Sequence, residues 1–201
     1  MKPAGAIGWS EVAGREAELV ERCVAGDEAA SEQLVLGHHR LVLSLATHLL
    51  GDREEALDLS QEVFLRVFRT LHSFRGQSSL RTWIFRIVVN QARNRQRWWR
   101  RRHQAAQVSF EDYIRSHGEG VLGADETTPE RAVSGRELGA RLHAALQRLP
   151  FDQRTAVVLR EVDGLSYGEI AFSLGLPVGT VKSRLTRARQ ALRAELRDTR
   201  C

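Results

Sequence analysis

The stretch that decides the fold is residues 164–196, which read GLSYGEIAFSLGLPVGTVKSRLTRARQALRAEL. Ser166 and Glu169 have the spacing of a capping box, so they predict the start of a short helix. Gly175 and Pro177 predict its end, because glycine favours the left-handed backbone after a helix and proline cannot continue one. A longer basic helix then runs to about Leu196. A short helix, a tight turn and a basic helix form the pattern of a helix-turn-helix.

A helical wheel divides the last helix into an apolar face and a polar face. The residues predicted to be buried are Val181, Leu185, Ala188, Leu192 and Leu196. The opposite face is predicted to reach base edges and carries Thr180, Ser183, Arg187 and Gln190. The flanks of that face are predicted to contact phosphates and carry Lys182, Arg184, Thr186, Arg189 and Arg193. Arg187 is the best candidate for a bidentate contact with guanine. The alternative is a packing helix with a solvated basic face.

Positive charge is concentrated in two blocks of the chain. The 201 residues include 30 basic and 25 acidic residues, for a net charge of +5. Residues 75–103 contain nine arginines and no acid, and residues 180–201 contain seven basic and two acidic residues. Because nucleic acid is a dense polyanion, this pattern is typical of a protein that contacts one nucleic acid at two places. Arginine-rich helices that serve only as soluble faces are the alternative.

The rest of the chain is predicted to be helical on both sides of a linker. Apolar residues recur at helical spacing over 16–102, and no segment alternates like a strand. We predict helices over about 28–50, 53–71 and 80–102. Their candidate N-terminal caps are Asp27, Asp52 in a capping box with Glu55, and Ser78 or Ser79.

The periodicity fails over 104–136, where glycine, proline and acidic residues accumulate. The predicted fold class is therefore all-α, with two small helical domains joined by a flexible linker. The domains are residues 14–103 and residues 137–198, with the linker at 104–136 and the helix-turn-helix in the second domain.

The arginine-rich helix after residue 79 has a face suited to a nucleic-acid strand. The wheel predicts that Leu80, Ile84, Ile87 and Val88 point inward, and that the outward positions are Thr82, Arg86, Asn90, Arg93, Arg97 and Arg100. Arginines interrupted by an asparagine suit a strand backbone and base edges. Trp83 lies at the boundary, where its indole either closes the core or stacks on a base. Trp98 is predicted to pack. The preceding loop, residues 74–79, suits either a cup for an extruded base or a simple connection.

The helix before that loop is acidic on its exposed side. The wheel predicts that Leu57, Ser60, Phe64, Val67, Phe68 and Leu71 point inward, and that Glu55, Asp58, Glu62, Arg66 and Arg69 point outward. Leu59 and Leu65 are predicted to lie exposed beside the carboxylates. Because acids repel phosphate, exposed leucines among them favour a protein partner, with scattered surface leucines as the alternative.

Composition excludes several classes of protein. No apolar run approaches the ~20 residues that a membrane span needs, and the N-terminus lacks the pattern of a targeting signal, so we expect a cytoplasmic protein. Cys23 and Cys201 are too few for a disulfide framework or a zinc cage, and we expect no cofactor and no metal. No activated nucleophile, clustered carboxylates or metal-spaced His/Cys set appears, so we expect no enzyme activity.

Three stretches together resemble the bacterial RNA polymerase sigma factors of the extracytoplasmic-function group. The first is DLSQEVF at 58–64 and the second is SLRTWI at 79–84 with Asn90. The third is GLSYGEIA at 164–171 with VGTVKSRL at 178–185. The resemblance covers about 16–102 and 137–196, and the ordered combination of motifs is specific where each motif alone is weak.

The resemblance implies a transcription initiation factor that binds RNA polymerase core and opens promoter DNA. It implies that Asp58, Gln61 and Glu62, with Leu59 and Leu65 beside them, bind the polymerase beta-prime subunit, and it also makes the beta subunit a partner. It implies that the minus-ten strand is captured by Phe74, Arg75, Gly76, Gln77, Ser78, Trp83, Arg86, Asn90, Arg93 and Arg97. It implies that the minus-thirty-five duplex is contacted by Arg160, Thr180, Lys182, Ser183, Arg184, Thr186 and Arg187.

Further expectations follow from the resemblance and from the chain itself. Members of this group are often held inactive by an anti-sigma factor, so we expect such a partner. The chain stops soon after the recognition helix, so we expect no appended regulatory domain. The competing interpretation is a helix-turn-helix repressor or activator that binds duplex DNA without polymerase. It explains the C-terminal half but not the acidic helix or the arginine helix.

Overall fold

The computed structural model describes residues 9–106 and 129–198, and every regular element in those ranges is helical. The predicted all-α fold class is confirmed. The helices are α1 (Trp9–Val24), α2 (Glu28–Leu50), α3 (Arg53–Thr70), α4 (Leu80–Ala106), α5 (Pro129–Arg148), α6 (Phe151–Val157), α7 (Tyr167–Leu174) and α8 (Val178–Asp198). A three-ten turn at Leu71–Ser73 follows α3, and a π-helical turn at Val158–Val162 follows α6.

Local capping chemistry sets the helix boundaries. Asp27 accepts a hydrogen bond from the Ala30 amide at 3.0 Å, and Gly51 ends α2 with a φ of 83°. Ser79 Oγ accepts from the Thr82 amide at 3.1 Å, so Ser79 caps α4. The helix-turn-helix boundaries are also as predicted. The capping box of Ser166 with Glu169 opens α7, and Gly175 ends it with a φ of 64°.

Two predicted boundaries differ from the structure. Asp52 accepts from the Glu55 amide at 2.9 Å, but the Glu55 carboxylate binds Arg95 at 2.7 Å instead of completing the capping box. The predicted linker is helical at both of its ends, because α4 continues through 106 and α5 begins at Pro129. Proline suits the first turn of a helix, where its missing N–H has no partner to lose. The remaining linker residues, 107–128, lie outside the described residues, as do residues 1–8.

The two helical units pack against each other. In the N-terminal unit, α2, α3 and α4 enclose a core that includes Leu34, Leu45, Val63 and Phe85, with α1 against α2. In the C-terminal unit, α6, α7 and α8 enclose Leu159, Ile170, Leu185 and Ala188. Between the units, α7 packs on α4 and α5 packs on the end of α2. This packing decides which of the predicted contact surfaces are open.

Candidate polymerase and nucleic-acid interfaces

The exposed side of α3 combines acidic and apolar residues. Asp58, Gln61 and Glu62 are exposed, and Leu65 is 57% exposed. Leu57 and Phe68 are each 37% exposed on the same side of the helix. We call these six residues the α3 face. An apolar stripe bordered by carboxylates is the composition of a protein-binding surface rather than a phosphate-binding one.

The wheel for α3 was wrong in its rotation. Leu59 is fully buried, although we predicted it as exposed, whereas Leu57 and Phe68 are exposed, although we predicted them as buried. The reason is that Ala56 and Val63, with no exposed surface, occupy the centre of the buried side. Leu57 and Phe68, on which the predicted buried side was centred, are larger residues but lie at the edge of the true buried side. Leu59 is therefore a core residue and contributes no contact surface.

Arg95 of α4 ties two carboxylates of α3 together. Its Nη1 lies 2.7 Å from Glu55 Oε2 and its Nη2 lies 2.7 Å from Glu62 Oε1. The guanidinium is mostly buried, with 17% of the side chain exposed. Charge-assisted pairs of this geometry fix the orientation of both partners. Arg95 thus holds Glu62 at the border of the α3 face, a role for Arg95 that we did not predict.

The loop between α3 and α4 borders a cavity of about 710 Å³. Phe74 and Trp83 meet edge to face, with ring centroids 5.6 Å apart, and both rings are partly buried against the core. The loop residues that line the cavity are Phe74, Arg75, Gly76, Gln77, Ser78 and Ser79. Its other walls come from α1 and from α7, including Glu16 and Phe172. The cavity is therefore enclosed by the loop together with α1 and α7, and Phe74 is one of its aromatic lining residues.

The outward face of α4 is only partly open. We call Thr82, Arg86, Asn90, Arg93 and Arg97 the strand face. Asn90 and Arg97 are exposed, and so is Arg100 beyond them. Arg86 is also exposed, and its guanidinium lies 5.3 Å from the centre of the Phe172 ring of α7. The C-terminal unit therefore contacts this face at Arg86.

Two positions that we predicted to point outward are covered by the C-terminal unit. A wheel of α4 alone does not show contacts with other helices. Thr82 is 1% exposed, because its hydroxyl lies 3.2 Å from Glu169 Oε1 and its carbonyl accepts from Ser173 Oγ at 3.3 Å. Arg93 pairs with Asp152 at 3.3 Å. Trp98, which we predicted to pack inward, is 47% exposed and meets the Trp99 ring edge to face. The wheel misplaced it because α4 runs beyond the core at this end.

The recognition helix α8 presents its polar face to solvent. Val181, Leu185 and Ala188 are buried as predicted, while Leu192 and Leu196 are half-buried. Ser183, Arg187 and Gln190 are exposed on the opposite side, and Thr180 is half-buried. On the flanks, Lys182 and Thr186 are exposed, and Arg184 is held 3.1 Å from Asp152. These exposed side chains form an open polar surface along α8.

Two cationic side chains lie against the Tyr167 ring, beside the recognition helix. Arg160 lies 5.0 Å from the centre of the Tyr167 ring and donates to the Leu165 carbonyl at 2.8 Å. Lys182 Nζ lies 5.9 Å from the same ring. Arg189 Nη2 donates a hydrogen bond to Glu161 Oε1 at 2.6 Å, and this bond raises the pKa of Arg189. Arg160 and Lys182 are thus brought together, although they are far apart in sequence.

Within residues 9–106 and 129–198, no group of three or more His, Cys, Asp or Glu residues is arranged to hold a metal ion. No helix in these two ranges has the length and apolar character to cross a membrane.

Family comparisons agree with the two helical units. Residues 34–106 match the family described as Sigma-70 region 2, and residues 139–192 match Sigma-70, region 4. Two such regions in one chain define the class as a sigma-70-type transcription initiation factor.

Two relatives identify the group of sigma factors to which the chain belongs. The chain is 42% identical over 178 residues to the RNA polymerase sigma-H factor of Pseudomonas aeruginosa, covering 89% of this chain and 92% of that protein. It is 38% identical to the ECF RNA polymerase sigma-E factor of Escherichia coli, covering 87% and 90%. The chain therefore belongs to the extracytoplasmic-function RNA polymerase sigma factors.

Two solved complexes share the fold over most of the chain. The sigma factor RpoE of Bartonella quintana in complex with the anti-sigma factor NepR aligns with a TM-score of 0.67 and 26% identity, covering 83% of this chain and 96% of RpoE. CnrH in complex with the cytosolic domain of CnrY aligns with a TM-score of 0.63 and 26% identity, covering 92% and 99%.

Proposed function

We propose that the α3 face binds RNA polymerase core, that the loop and strand face capture the melted minus-ten strand, and that α8 reads the minus-thirty-five duplex. The observation that carries this assignment is the separation of charge between adjacent surfaces. The α3 face is acidic and apolar, whereas the strand face and α8 are basic. Each surface therefore suits a different partner.

The strand face suits an unpaired strand because it combines cations with aromatic and amide groups. Arg86, Arg93 and Arg97 supply positive charge along one side of α4, and Asn90 supplies an amide for a base edge. The cavity beside Phe74 gives an extruded base a place to stack. Unstacking a base costs a few kcal/mol, and such a pocket offsets that cost.

The α8 surface suits a duplex because its central residues face base edges and its flanks face phosphates. Arg187 reaches the major groove, while Arg160, Lys182 and Thr186 contact the backbone. Arg160 is pre-positioned by its hydrogen bond to the Leu165 carbonyl and by the Tyr167 ring. Pre-positioning reduces the entropy lost when a flexible side chain is ordered on binding.

Individual contacts of this size are weak, and tethering strengthens them. When both units are held on one polymerase, the second DNA contact becomes intramolecular. The chain then contributes binding and strand separation and no covalent chemistry of its own, acting in the cytoplasm where the polymerase works. By analogy with the Bartonella quintana complex, we include an anti-sigma factor among its partners.

Run-off transcription with core polymerase over a promoter library tests this function. The wild-type chain is expected to direct initiation from a defined subset of promoters.

Asp58→Lys reverses a charge on the α3 face and is expected to lower retention of core polymerase at least about tenfold, as an interface charge reversal typically does. Glu32→Lys makes the same charge change at an exposed position of α2 and serves as the control. Retention unchanged by Asp58→Lys, or sequence-specific duplex binding with no polymerase dependence, would favour a stand-alone repressor or activator.

A further inference from the structure

A groove of about 460 Å³ lies between α3 and the C-terminal turns of α4. Its α3 wall carries the carboxylates of Glu55, Asp58 and Glu62. Its α4 wall carries the rings of Trp98 and Trp99. None of the five strand-face residues lines it. The groove is therefore separate from the proposed single-strand surface, although it adjoins the α3 face through two of its carboxylates.

Trp98 is an apolar side chain that the fold leaves in contact with water. It is 47% exposed, and its ring meets Trp99 edge to face with the ring centroids 5.9 Å apart. Tryptophan is enriched at the centres of protein interfaces, because one rigid side chain buries a large apolar area there. Trp98 therefore marks a contact surface that the α3 face alone does not include.

The charges that line the groove favour a cationic partner. Of the described side chains in its walls, three are acids and one, Arg95, is a base. Arg95 pairs with Glu55 and Glu62, whereas Asp58 has no hydrogen-bonding or ionic partner within residues 9–106 and 129–198. An exposed carboxylate of this kind attracts a cation and repels a phosphate group.

The Trp98 ring already binds one guanidinium group. Arg102 lies one turn further along α4, and its Cζ is 5.0 Å from the centre of the ring. Arg102 does not line the groove, so it leaves the carboxylates there without a further counter-charge. A guanidinium is planar, so it can stack on an indole while its edge donates to a carboxylate, which a lysine ammonium cannot do. A groove with one indole wall and one carboxylate wall therefore suits an arginine side chain.

We propose that this groove receives an arginine side chain of RNA polymerase core, with its guanidinium between the Trp98 ring and the Asp58 carboxylate. The proposal rests on the proposed function for the identity of the partner. It extends the polymerase contact from α3 onto α4 and makes Trp98 a specificity-determining residue of that contact.

Three substitutions of Trp98 in the full chain test the groove, with affinity measured by biolayer interferometry on immobilised core polymerase. Trp98→Ala removes the ring and is expected to raise the Kd at least about fivefold. Trp98→Leu keeps apolar volume but has no aromatic face, so it is expected to raise the Kd at least about threefold. Trp98→Phe keeps an aromatic face and is expected to stay within about twofold of the wild type.

A double-substitution cycle tests whether Trp98 and Asp58 hold the same cation. In an Asp58→Asn background, Trp98→Ala is expected to raise the Kd at least about threefold less than it does in the wild type. Leu36→Ala removes an exposed apolar side chain from α2 and serves as the control, with no expected change in affinity. Thermal melts monitored by circular dichroism establish that each variant is folded.

A measurement with nucleic acid distinguishes arginine recognition from stacking on a base. Trp98→Ala is expected to leave affinity for a fluorescein-labelled single strand of mixed sequence unchanged. An equal loss of affinity for the strand and for the polymerase would overturn the proposal in favour of base stacking. Polymerase affinity that Trp98→Ala does not change, or that Trp98→Leu and Trp98→Phe lower equally, would also overturn it.

Failure of the wild-type chain to bind core polymerase would instead overturn the proposed function. The groove is then tested without polymerase by titrating acetyl-arginine-amide into the isotope-labelled chain and following the indole N–H signals by NMR. The Trp98 signal is expected to shift more than that of the half-buried Trp83, and the shift is expected to be lost in Asp58→Asn. A Trp98 signal that does not shift would overturn the recognition of a guanidinium by this groove.

Discussion

Gly51 and Gln147 are in contact across the boundary between the two units, and a Cβ atom on Gly51 would lie 2.7 Å from Gln147 Cδ. Gly51 also has a φ of 83°, a left-handed backbone that other residues adopt only with strain. The Gln147 amide donates to the His48 carbonyl at 3.0 Å, and its oxygen accepts from Arg154. Burial lowers the pKa of Arg154 to about 10, so the guanidinium stays cationic at neutral pH.

Gly51→Ala is therefore expected to be more destabilising than an alanine at a comparable open glycine. The left-handed backbone alone costs about 1–2 kcal/mol. Displacing Gln147 adds about 1 kcal/mol through its lost hydrogen bonds. Gly26→Ala is the matched control, because Gly26 has a φ of 87° and nothing within 4 Å of the added atom. Urea denaturation measures both.

A double-substitution cycle identifies the source of the excess. In a Gln147→Ala background the side chain that meets the new Cβ is gone, so Gly51→Ala and Gly26→Ala are expected to cost similar amounts. An excess that persists in that background would contradict the contact between Gly51 and Gln147.

The stability of the protein should depend on the ionisation of Asp163. This residue is 7% exposed, and burial raises its pKa to about 7, although the charge of Arg81 opposes the shift. Its unfolded pKa is about 3.9. The folded state therefore binds more protons than the unfolded state between these values, and the contribution of Asp163 to stability falls as pH rises from about 4 to about 7.

Asp163→Asn is expected to remove this contribution. The free energy of unfolding, measured with urea from pH 4.5 to pH 8, should fall less steeply with pH in the variant than in the wild type. His143 acts in the opposite direction, because burial lowers its pKa and its contribution is lost as pH falls, but it is common to both proteins and cancels in their difference. A wild-type minus Asp163→Asn difference that is flat over this range would refute the assignment.

Helix boundaries were predictable because they depend on a few neighbouring residues. Asp27, Ser79 and Ser166 each bind an amide three residues away, and those spacings can be read from the sequence. The exposed side of a helix depends instead on what packs against it. The α3 wheel followed Leu57 and Phe68, although the neighbouring helices enclose Ala56 and Val63.

Contacts between the units had no local signal at all. Thr82 meets Glu169 across 87 residues of sequence and Ser173 across 91. Neither the arginine periodicity of α4 nor the capping box of α7 indicates that the two helices meet. The functional surfaces were therefore predictable as separate faces, whereas their mutual covering required the fold.

Arg187 is expected to supply sequence discrimination in the upstream duplex. It is exposed at the centre of the polar face of α8. A bidentate contact with guanine is worth about 1–3 kcal/mol of discrimination. Arg187→Ala should lower the preference for the correct base at one upstream position by that amount and leave the downstream element unchanged.

Arg193→Ala provides the comparison for Arg187. Arg193 is exposed on the flank of the same helix, where we expect it to contact a phosphate. Loss of a phosphate contact lowers the affinity for all sequences equally. Competition binding on promoter variants distinguishes the two patterns. A uniform loss for Arg187→Ala would show that it contacts only the backbone.

The salt dependence of promoter binding should report the number of phosphates that the protein neutralises. If this chain neutralises roughly six phosphates, its contribution to the slope of log affinity against log salt concentration is expected to be near −5. Lys182 is exposed beside the Tyr167 ring, and Lys182→Ala should make the slope shallower by about one. Arg40→Ala on the distant α2 should leave it unchanged. The slopes are measured for the variants on one promoter with the same core polymerase, so contacts from the polymerase cancel. Equal slopes for the wild type and Lys182→Ala would place Lys182 away from the phosphates.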